Sequence, residues 1–142
     1  GITLTGDEKS LIVSSTESLL LINMETKSMN PLHYTAAIEP KPIDGLTFYN
    51  HSLIGHQSNI LTGFNLNNQL DSIINHQVID TSGLDSSTTG EIGENGWYYY
   101  IANSQIRSGI DYTTMTIMPL DSLAPVVIKR SGSNHIPRRS RC

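Results

Sequence analysis

Residues 44–59, "DGLTFYNHSLIGHQSN", decide the fold because they contain a unit that the chain repeats. A short strand is predicted after Gly45, a polar turn at 49–51 and a more apolar strand at 53–54. Short alternating runs bounded by turn residues are typical of β-strands. Asp44 stands before the first strand, where it is either a residue that caps the turn or a ligand in a site. This stretch alone leaves both alternatives open.

The same order of elements begins at Gly1, Gly45 and Gly90, which lie 44 and 45 residues apart. Each unit has a short strand, a polar turn, a more apolar strand, a polar cluster and a third strand. The second strands are predicted at 11–13, 53–54 and 97–101, and the third at 19–23, 60–65 and 113–118. Fourth strands are predicted at 34–37, 73–79 and 124–129.

Four short strands at a period in the forties indicate the blade of a β-propeller. We therefore predict an all-β fold of about three β-propeller blades, each of four antiparallel strands. The blades are expected at about 1–40, 41–84 and 85–130, and the Arg-rich residues 131–142 are expected to be a disordered tail. A β-sandwich is the alternative, although sandwiches do not usually repeat one phase at constant spacing.

The composition restricts the function. The chain has 142 residues, a formal net charge of -4 and 15% charged residues, against about 25% in an average domain. We therefore expect no nucleic-acid partner, and no apolar run is long enough to span a membrane as a helix. Ser, Thr and Asn together contribute 41 residues, which leans towards an extracytoplasmic or secreted protein. The sequence starts within a strand-like pattern, so we expect it to be part of a longer protein.

Propeller topology gathers equivalent positions from successive blades around one opening, and this predicts the candidate site. The side chains at these equivalent positions almost all carry oxygen atoms. Such a set suits either a hard cation such as calcium or a sugar or another hydroxylated ligand. The candidate pocket residues are Asp44, Ser15, Thr16, His56, Gln57, Asn59, Thr89, Asn103 and Gln105.

Three further features admit a structural and a functional interpretation. His56 is either a partly exposed turn residue or a proton shuttle in the pocket. The aromatic run 97–100 favours packing between blades, with sugar stacking as the alternative. Asn50-His51-Ser52 is an N-glycosylation sequon, which matters only in a secreted eukaryotic protein.

Three stretches resemble one known family. "PIDGLTFYNHSLIGHQSN" (42–59) resembles the P-x-D-G-hydrophobic, turn, strand unit of the SMP-30/gluconolactonase/LRE-like family, also called regucalcin-like. "GITLTGDEKSLIVSSTES" (1–18) is similar to the preceding blade of such proteins, and "STTGEIGENGWYYYIANSQ" (87–105) to their last part. The resemblance covers about residues 1–130 and implies the C-terminal half of a six-bladed propeller.

The resemblance also implies a function. Family members hold a divalent metal, often calcium, on the propeller axis and hydrolyse lactones or related esters. Asp44 would be one metal ligand and could act as general base. The Asn of the family's N-G unit would stand just before Gly1, and its early Glu would lie further upstream. The missing half-propeller or a second copy of the chain would complete the ring. A non-catalytic propeller that binds a small ligand or a protein partner is the alternative.

Overall fold

A computed structural model describes residues 1–35, 37–38, 42–94, 96–103, 110–111, 116–117 and 127–131. These residues form strands and turns, and no helix occurs among them. Accordingly, the described part of the chain contains no helix that could span a membrane. The all-β prediction is confirmed. The predicted tail falls outside these residues, apart from Ser131, which ends a strand.

Two complete four-stranded antiparallel sheets follow each other along the chain, each with its strands in sequence order. The first sheet contains β1 (Ile2–Leu4), β2 (Ser10–Ser14), β3 (Leu19–Asn23) and β4 (Met29–Pro31). The second sheet contains β5 (Gly45–Tyr49), β6 (Ser52–Gln57), β7 (Ile60–Leu66) and β8 (Ile73–Asp80). The fourth strand of the first sheet therefore comes earlier than the predicted range 34–37. The other strands of both sheets match their predictions to within a few residues.

The third sheet has a different strand order from the prediction. It contains β9 (Gly90–Ile92), β10 (Tyr98–Asn103) and β13 (Val127–Ser131), with β10 in the centre. β11 (Ile110–Asp111) and β12 (Thr116–Ile117) pair with each other in a separate two-stranded sheet. The fourth strand, predicted at 124–129, corresponds to β13. It pairs directly with β10, in the place where the third strand, predicted at 113–118, was expected.

The sheets pack face to face as propeller blades do, and β6 of the second sheet is therefore buried on both of its sides. Leu53 and Ile54 are consecutive and point to opposite faces, as neighbours in a strand do. Leu53 belongs to an apolar cluster between the first and second sheets, which we call the first interface. Ile54 belongs to a cluster between the second and third sheets, the second interface. This radial packing gives the partial β-propeller that the repeat predicts.

Close backbone contact explains why one repeat begins with glycine. A Cβ atom on Gly45 would lie 2.0 Å from the Thr88 carbonyl oxygen, so any side chain there would push β5 away from the segment that leads into the third sheet. A Cβ on Gly1 would likewise meet Leu46 of the following sheet, at 2.9 Å from its Cβ.

In the third repeat, the glycine lies one residue later than Gly45 does in the second repeat. A Cβ on Gly90 would meet the Tyr98 ring, on the face turned towards the preceding sheet. Thr89 instead takes the position of Gly45: its carbonyl accepts a hydrogen bond from Ile101 N, as the Gly1 carbonyl does from Ser14 N. The structural repeat is therefore 44 residues in both steps, and Thr88 corresponds to Asp44.

Candidate functional site

A cavity of about 600 Å³ lies over the outer strands of the second sheet and reaches the turn between β6 and β7. Its walls combine polar side chains with aliphatic and aromatic ones. The residues that line it are Ile38, Pro42, Asp44, Gln57, Ser58, Asn59, Ile60, Thr62, Phe64, His76 and Val78.

Asp44 reaches this cavity because the backbone holds it at the start of β5. Its backbone N–H donates to the His56 carbonyl oxygen at 2.9 Å, which extends the pairing of β5 with β6 by one residue. Its side chain is exposed, and among the described residues no hydrogen bond is made to its carboxylate. Within that part of the chain, therefore, the Asp44 carboxylate caps no turn. The carboxylate is open to a ligand in the cavity.

The turn between β6 and β7 supplies the other polar groups. Gln57 Oε1 accepts a hydrogen bond from the Thr62 hydroxyl at 2.8 Å, and this contact orients the Gln57 amide beside the cavity. Ser58 occupies the left-handed region at φ 62°, and the Asn59 backbone N–H donates to the Gln57 carbonyl. The tight turn brings amide and hydroxyl groups of consecutive residues to one end of the cavity.

The structure brings three of the predicted pocket residues together and separates the others. Asp44, Gln57 and Asn59 line the same cavity. Ser15 acts in a turn, where its hydroxyl donates to the Ser18 carbonyl and accepts from the Ser18 and Glu17 N–H groups. The residues that do not line the cavity are Ser15, Thr16, His56, Thr89 and Asn103, while Gln105 lies outside the described residues.

The described residues do not assemble a metal site. Calcium takes six to eight oxygen ligands, usually with several carboxylates among them. Asp44 is the one carboxylate among the residues lining the cavity, and no group of three His, Cys, Asp or Glu side chains that could hold a metal ion occurs in the described part of the chain. These residues alone do not fit a calcium ion.

His56 occupies a different environment from either of its predicted ones. Its side chain is completely buried in the second interface, and both ring nitrogens have partners. Nδ1 lies 2.7 Å from the Ser87 hydroxyl, and Nε2 lies 2.7 Å from the Tyr98 hydroxyl. The residue is thus neither an exposed turn histidine nor a pocket residue. It connects the second sheet to the third.

The hydrogen-bond network assigns the His56 tautomer. The Ser87 hydroxyl donates to the Ile101 carbonyl at 2.7 Å, so its oxygen must accept from His56 Nδ1–H. Nε2 then accepts from the Tyr98 hydroxyl. The Thr47 hydroxyl lies 3.3 Å from both Tyr98 Oη and the Gly90 carbonyl oxygen, and either oxygen is within reach of its hydrogen.

Burial sets the charge of this network. Desolvation lowers the pKa of His56 to about 4, although the nearby Asp44 carboxylate acts in the opposite direction. Burial also raises the pKa of Tyr98 to about 12, partly offset by the hydrogen bond from Thr47. The group is therefore neutral at pH 7. Ser87 is fully buried and donates to a backbone carbonyl, so the Ser87–His56 pair is not an exposed nucleophile with its base.

A second polar contact connects the outer parts of the same two sheets. The Tyr100 hydroxyl donates to Asp80 Oδ2 at 2.7 Å, and Lys129 Nζ lies 3.0 Å from the same oxygen. Burial alone would raise the pKa of Asp80, but hydrogen bonds from Ser82, Tyr100 and Lys129 hold it below its usual range. The pKa of Tyr100 is raised by burial and by its bond to Asp80.

Sequence reasoning missed this buried network because its members are far apart in the chain. Ser87 and Tyr98 are 31 and 42 residues from His56. One signal was available: His56 follows Leu53 and Ile54 within a strand that is buried on both sides, where a polar side chain needs a partner.

The described geometry is similar to that of known β-propellers. A structure of luciferin-regenerating enzyme matches 93% of this chain and 44% of its own, with a TM-score of 0.56 and 14% identity. A structure of U3-55K and one of the RRP9 WD40 repeats each match 71% of this chain, with a TM-score of 0.50 and 13% identity. They are matched over 30% and 29% of their own chains.

These likenesses establish the β-propeller fold. At 13–14% identity they show the fold alone, and the neighbours include both an enzyme and WD40 repeats. The chain spans less than half the length of each of these proteins. No protein-family model and no curated protein matches the sequence significantly.

Proposed function

We propose that this chain contributes a binding cavity for a small organic ligand, with both hydroxyl and carbonyl groups, to a β-propeller. The open Asp44 carboxylate in the cavity beside the turn between β6 and β7 carries the proposal. A volume of about 600 Å³ lies within the range of about 300–1,000 Å³ typical of small-molecule sites. The remaining blades come from a longer chain or from a second copy of this one.

The lining supports this ligand class. A carboxylate accepts hydrogen bonds from two ligand hydroxyls, and the Asn59 amide both donates and accepts. Phe64 and Ile60 give an apolar wall against which the carbon skeleton packs. A ligand that is apolar throughout would leave the Asp44 carboxylate desolvated without a partner, which is unfavourable.

Isothermal titration of the full-length protein with a panel of aldonolactones and aldonic acids tests the proposal. We expect one saturable site, with affinity about tenfold lower in Asp44→Asn, because a charge-assisted hydrogen bond contributes about 1.5–3 kcal/mol. Glu17→Gln is the matched control, since Glu17 is an exposed carboxylate that does not line the cavity. Equal affinity in Asp44→Asn and in the unmodified protein would remove Asp44 from the site.

A second candidate function is metal-dependent hydrolysis of lactones or related esters, as in SMP-30/gluconolactonase-type proteins. It is supported by Asp44 at the D-G position and by the match of luciferin-regenerating enzyme to 93% of this chain. A bound divalent cation, with calcium the first choice, would polarise the substrate carbonyl. Asp44 would hold one side of the cation and orient the substrate, and ligands outside the described residues would complete the site.

Metal titration separates the two candidates. The full-length protein is treated with EDTA and then supplied with Ca²⁺, Mg²⁺, Mn²⁺ or Zn²⁺, while lactone hydrolysis and metal binding are both measured. Metal-dependent turnover that Asp44→Asn abolishes would support the hydrolase. Lactone binding without turnover or metal dependence would leave the binding module and exclude the hydrolase.

A further inference from the structure

A second cavity of about 450 Å³ lies at the opposite end of the strands from Asp44. It is built from the turn between β1 and β2, the turn between β5 and β6, and the turn between β7 and β8. The residues that line it are Gly6, Asp7, Phe48, Tyr49, Asn50, His51, Asn68 and Leu70. We call it the turn-side cavity. It shares no lining residue with the Asp44 cavity.

Two aromatic residues at consecutive positions of β5 line the turn-side cavity. Phe48 packs against the first interface and Tyr49 against the second, and each is only half-buried. A Cβ atom on Gly6 would come within 3.2 Å of Phe48 Cε1, so glycine lets the first sheet approach the edge of this ring. Both rings are held by packing while part of each stays accessible.

The polar groups of the turn-side cavity retain hydrogen-bonding capacity. Thr5 Oγ1 and Lys9 N both donate to Asp7 Oδ1, and the described residues provide no partner for Oδ2. The Thr5 bond and then the Lys9 bond lower the pKa of Asp7, which keeps it charged at neutral pH. The exposed amides of Asn50 and Asn68 likewise make no side-chain hydrogen bond within the described chain.

The turns that carry these groups are held in unusual backbone conformations. Asn50 and His51 have φ values of 47° and 58°, and positive φ at both positions is characteristic of the type I′ turn common in two-residue hairpins. Leu70 has φ 62°, a region rarely adopted by large side chains and often retained at functional positions. The Asn67 side chain accepts from the backbone N–H groups of Asp71 and Ser72, which fixes the turn around Asn68. A ligand would meet a largely pre-formed surface.

From this geometry we infer that the turn-side cavity binds a carbohydrate, as a site separate from the Asp44 cavity. A pyranose ring presents apolar C–H groups on its faces and hydroxyls around its rim. One face packs against the Phe48 ring, while the hydroxyls donate to Asp7 Oδ2 and bond the Asn68 amide. The inference does not depend on the proposed function, because the two cavities can be tested with different variants.

The test uses the full-length protein and a panel of methyl pyranosides and their β- and α-linked disaccharides. Binding is followed by saturation-transfer NMR and by isothermal titration. We expect at least one saccharide to bind saturably, with affinity reduced fivefold or more by Asn68→Ala and by Asp7→Asn. The Asp7→Asn change keeps an acceptor oxygen for Thr5 and Lys9, so the turn is expected to fold.

Two controls keep the outcome decisive. Asn30→Ala removes another exposed Asn side chain, in β4, and should leave binding unchanged. Asp44→Asn should also leave it unchanged, whatever that variant does to lactone binding. Absence of saturable binding for the whole panel at 50 mM would overturn the inference. So would binding that is lost in Asp44→Asn but unaffected by Asn68→Ala.

Discussion

The two interfaces between neighbouring sheets are joined by different chemistry, although the same repeat generates both. The first interface is an apolar cluster around Ile12, Leu53 and Phe64. The second interface combines apolar side chains with the buried Tyr98–His56–Ser87 network, which the partly buried Thr47 joins through Tyr98. At equivalent ends of their strands, Ser14 Oγ accepts from Ile43 N in the first interface, while His56 bonds Ser87 in the second. The repeat therefore specifies where sheets meet and leaves open what holds them together.

From this comparison, we expect the largest loss of stability when an apolar side chain of the first interface is truncated. Leu53 has 0% exposure, so Leu53→Ala should lower the free energy of unfolding by about 3 kcal/mol through lost burial and a cavity. Denaturant unfolding of the full-length protein measures it. Ile74→Ala is the control, since Ile74 is 64% exposed and should change stability by less than about 0.5 kcal/mol. Similar losses in both variants would contradict the packing described here.

The contribution of the second interface to the free energy of unfolding should decrease at acid pH, because His56 lies in this interface and not in the first. Unfolded His56 takes up a proton near its ordinary pKa of 6.5, whereas the folded residue resists protonation until about pH 4. Between these values protons favour the unfolded state. Stability should therefore fall as pH is lowered, by up to about 1.4 kcal/mol per pH unit and about 2–3 kcal/mol in total.

Replacement of the histidine isolates this contribution from that of the carboxylates. His56→Asn, whose side chain does not titrate, should show a shallower loss of stability between pH 6.5 and 4. Unfolding curves of both proteins across this range make the comparison. Parallel pH profiles would mean that His56 is not the titrating group.

Removing one member of the network should have a smaller effect than Leu53→Ala. Ser87→Ala leaves His56 Nδ1–H and the Ile101 carbonyl without their partner, at a cost of about 1–3 kcal/mol. Ser52→Ala is the control because the Ser52 hydroxyl bonds Asn65 at an exposed position. A loss no greater in Ser87→Ala than in Ser52→Ala would show that the buried bonds contribute little.

The smallest effect is expected at the outer contact between the second and third sheets. Lys129→Met should cost less than about 1 kcal/mol, because this ion pair is partly solvated and Asp80 keeps its bonds from Tyr100 and Ser82. Thermal unfolding at low and high salt measures the difference. A loss of more than about 1 kcal/mol at low salt would mean that this ion pair stabilises the fold more than its exposure indicates.

Much of the fold and a smaller part of the candidate site follow from the sequence. The repeat predicts the all-β architecture, and β3 coincides with the predicted third strand at 19–23. Asp44, Gln57 and Asn59 were predicted as site residues and share one cavity, because the start of β5 lies beside the end of antiparallel β6. The order β13–β10–β9 was not predictable, since short strands of similar composition do not specify which neighbour they pair with.

The sequence by itself determined the approximate period, the alternation and most turns, because each depends on the local conformational preferences of a few adjacent residues. Only the tertiary structure decided that His56 is buried and neutral, that Thr89 rather than Gly90 continues the repeat, and that the oxygen-rich positions do not all converge. Burial and hydrogen-bond partnership depend on residues some 30 to 45 positions away. Their approach is set by how whole sheets pack, and no local pattern records it.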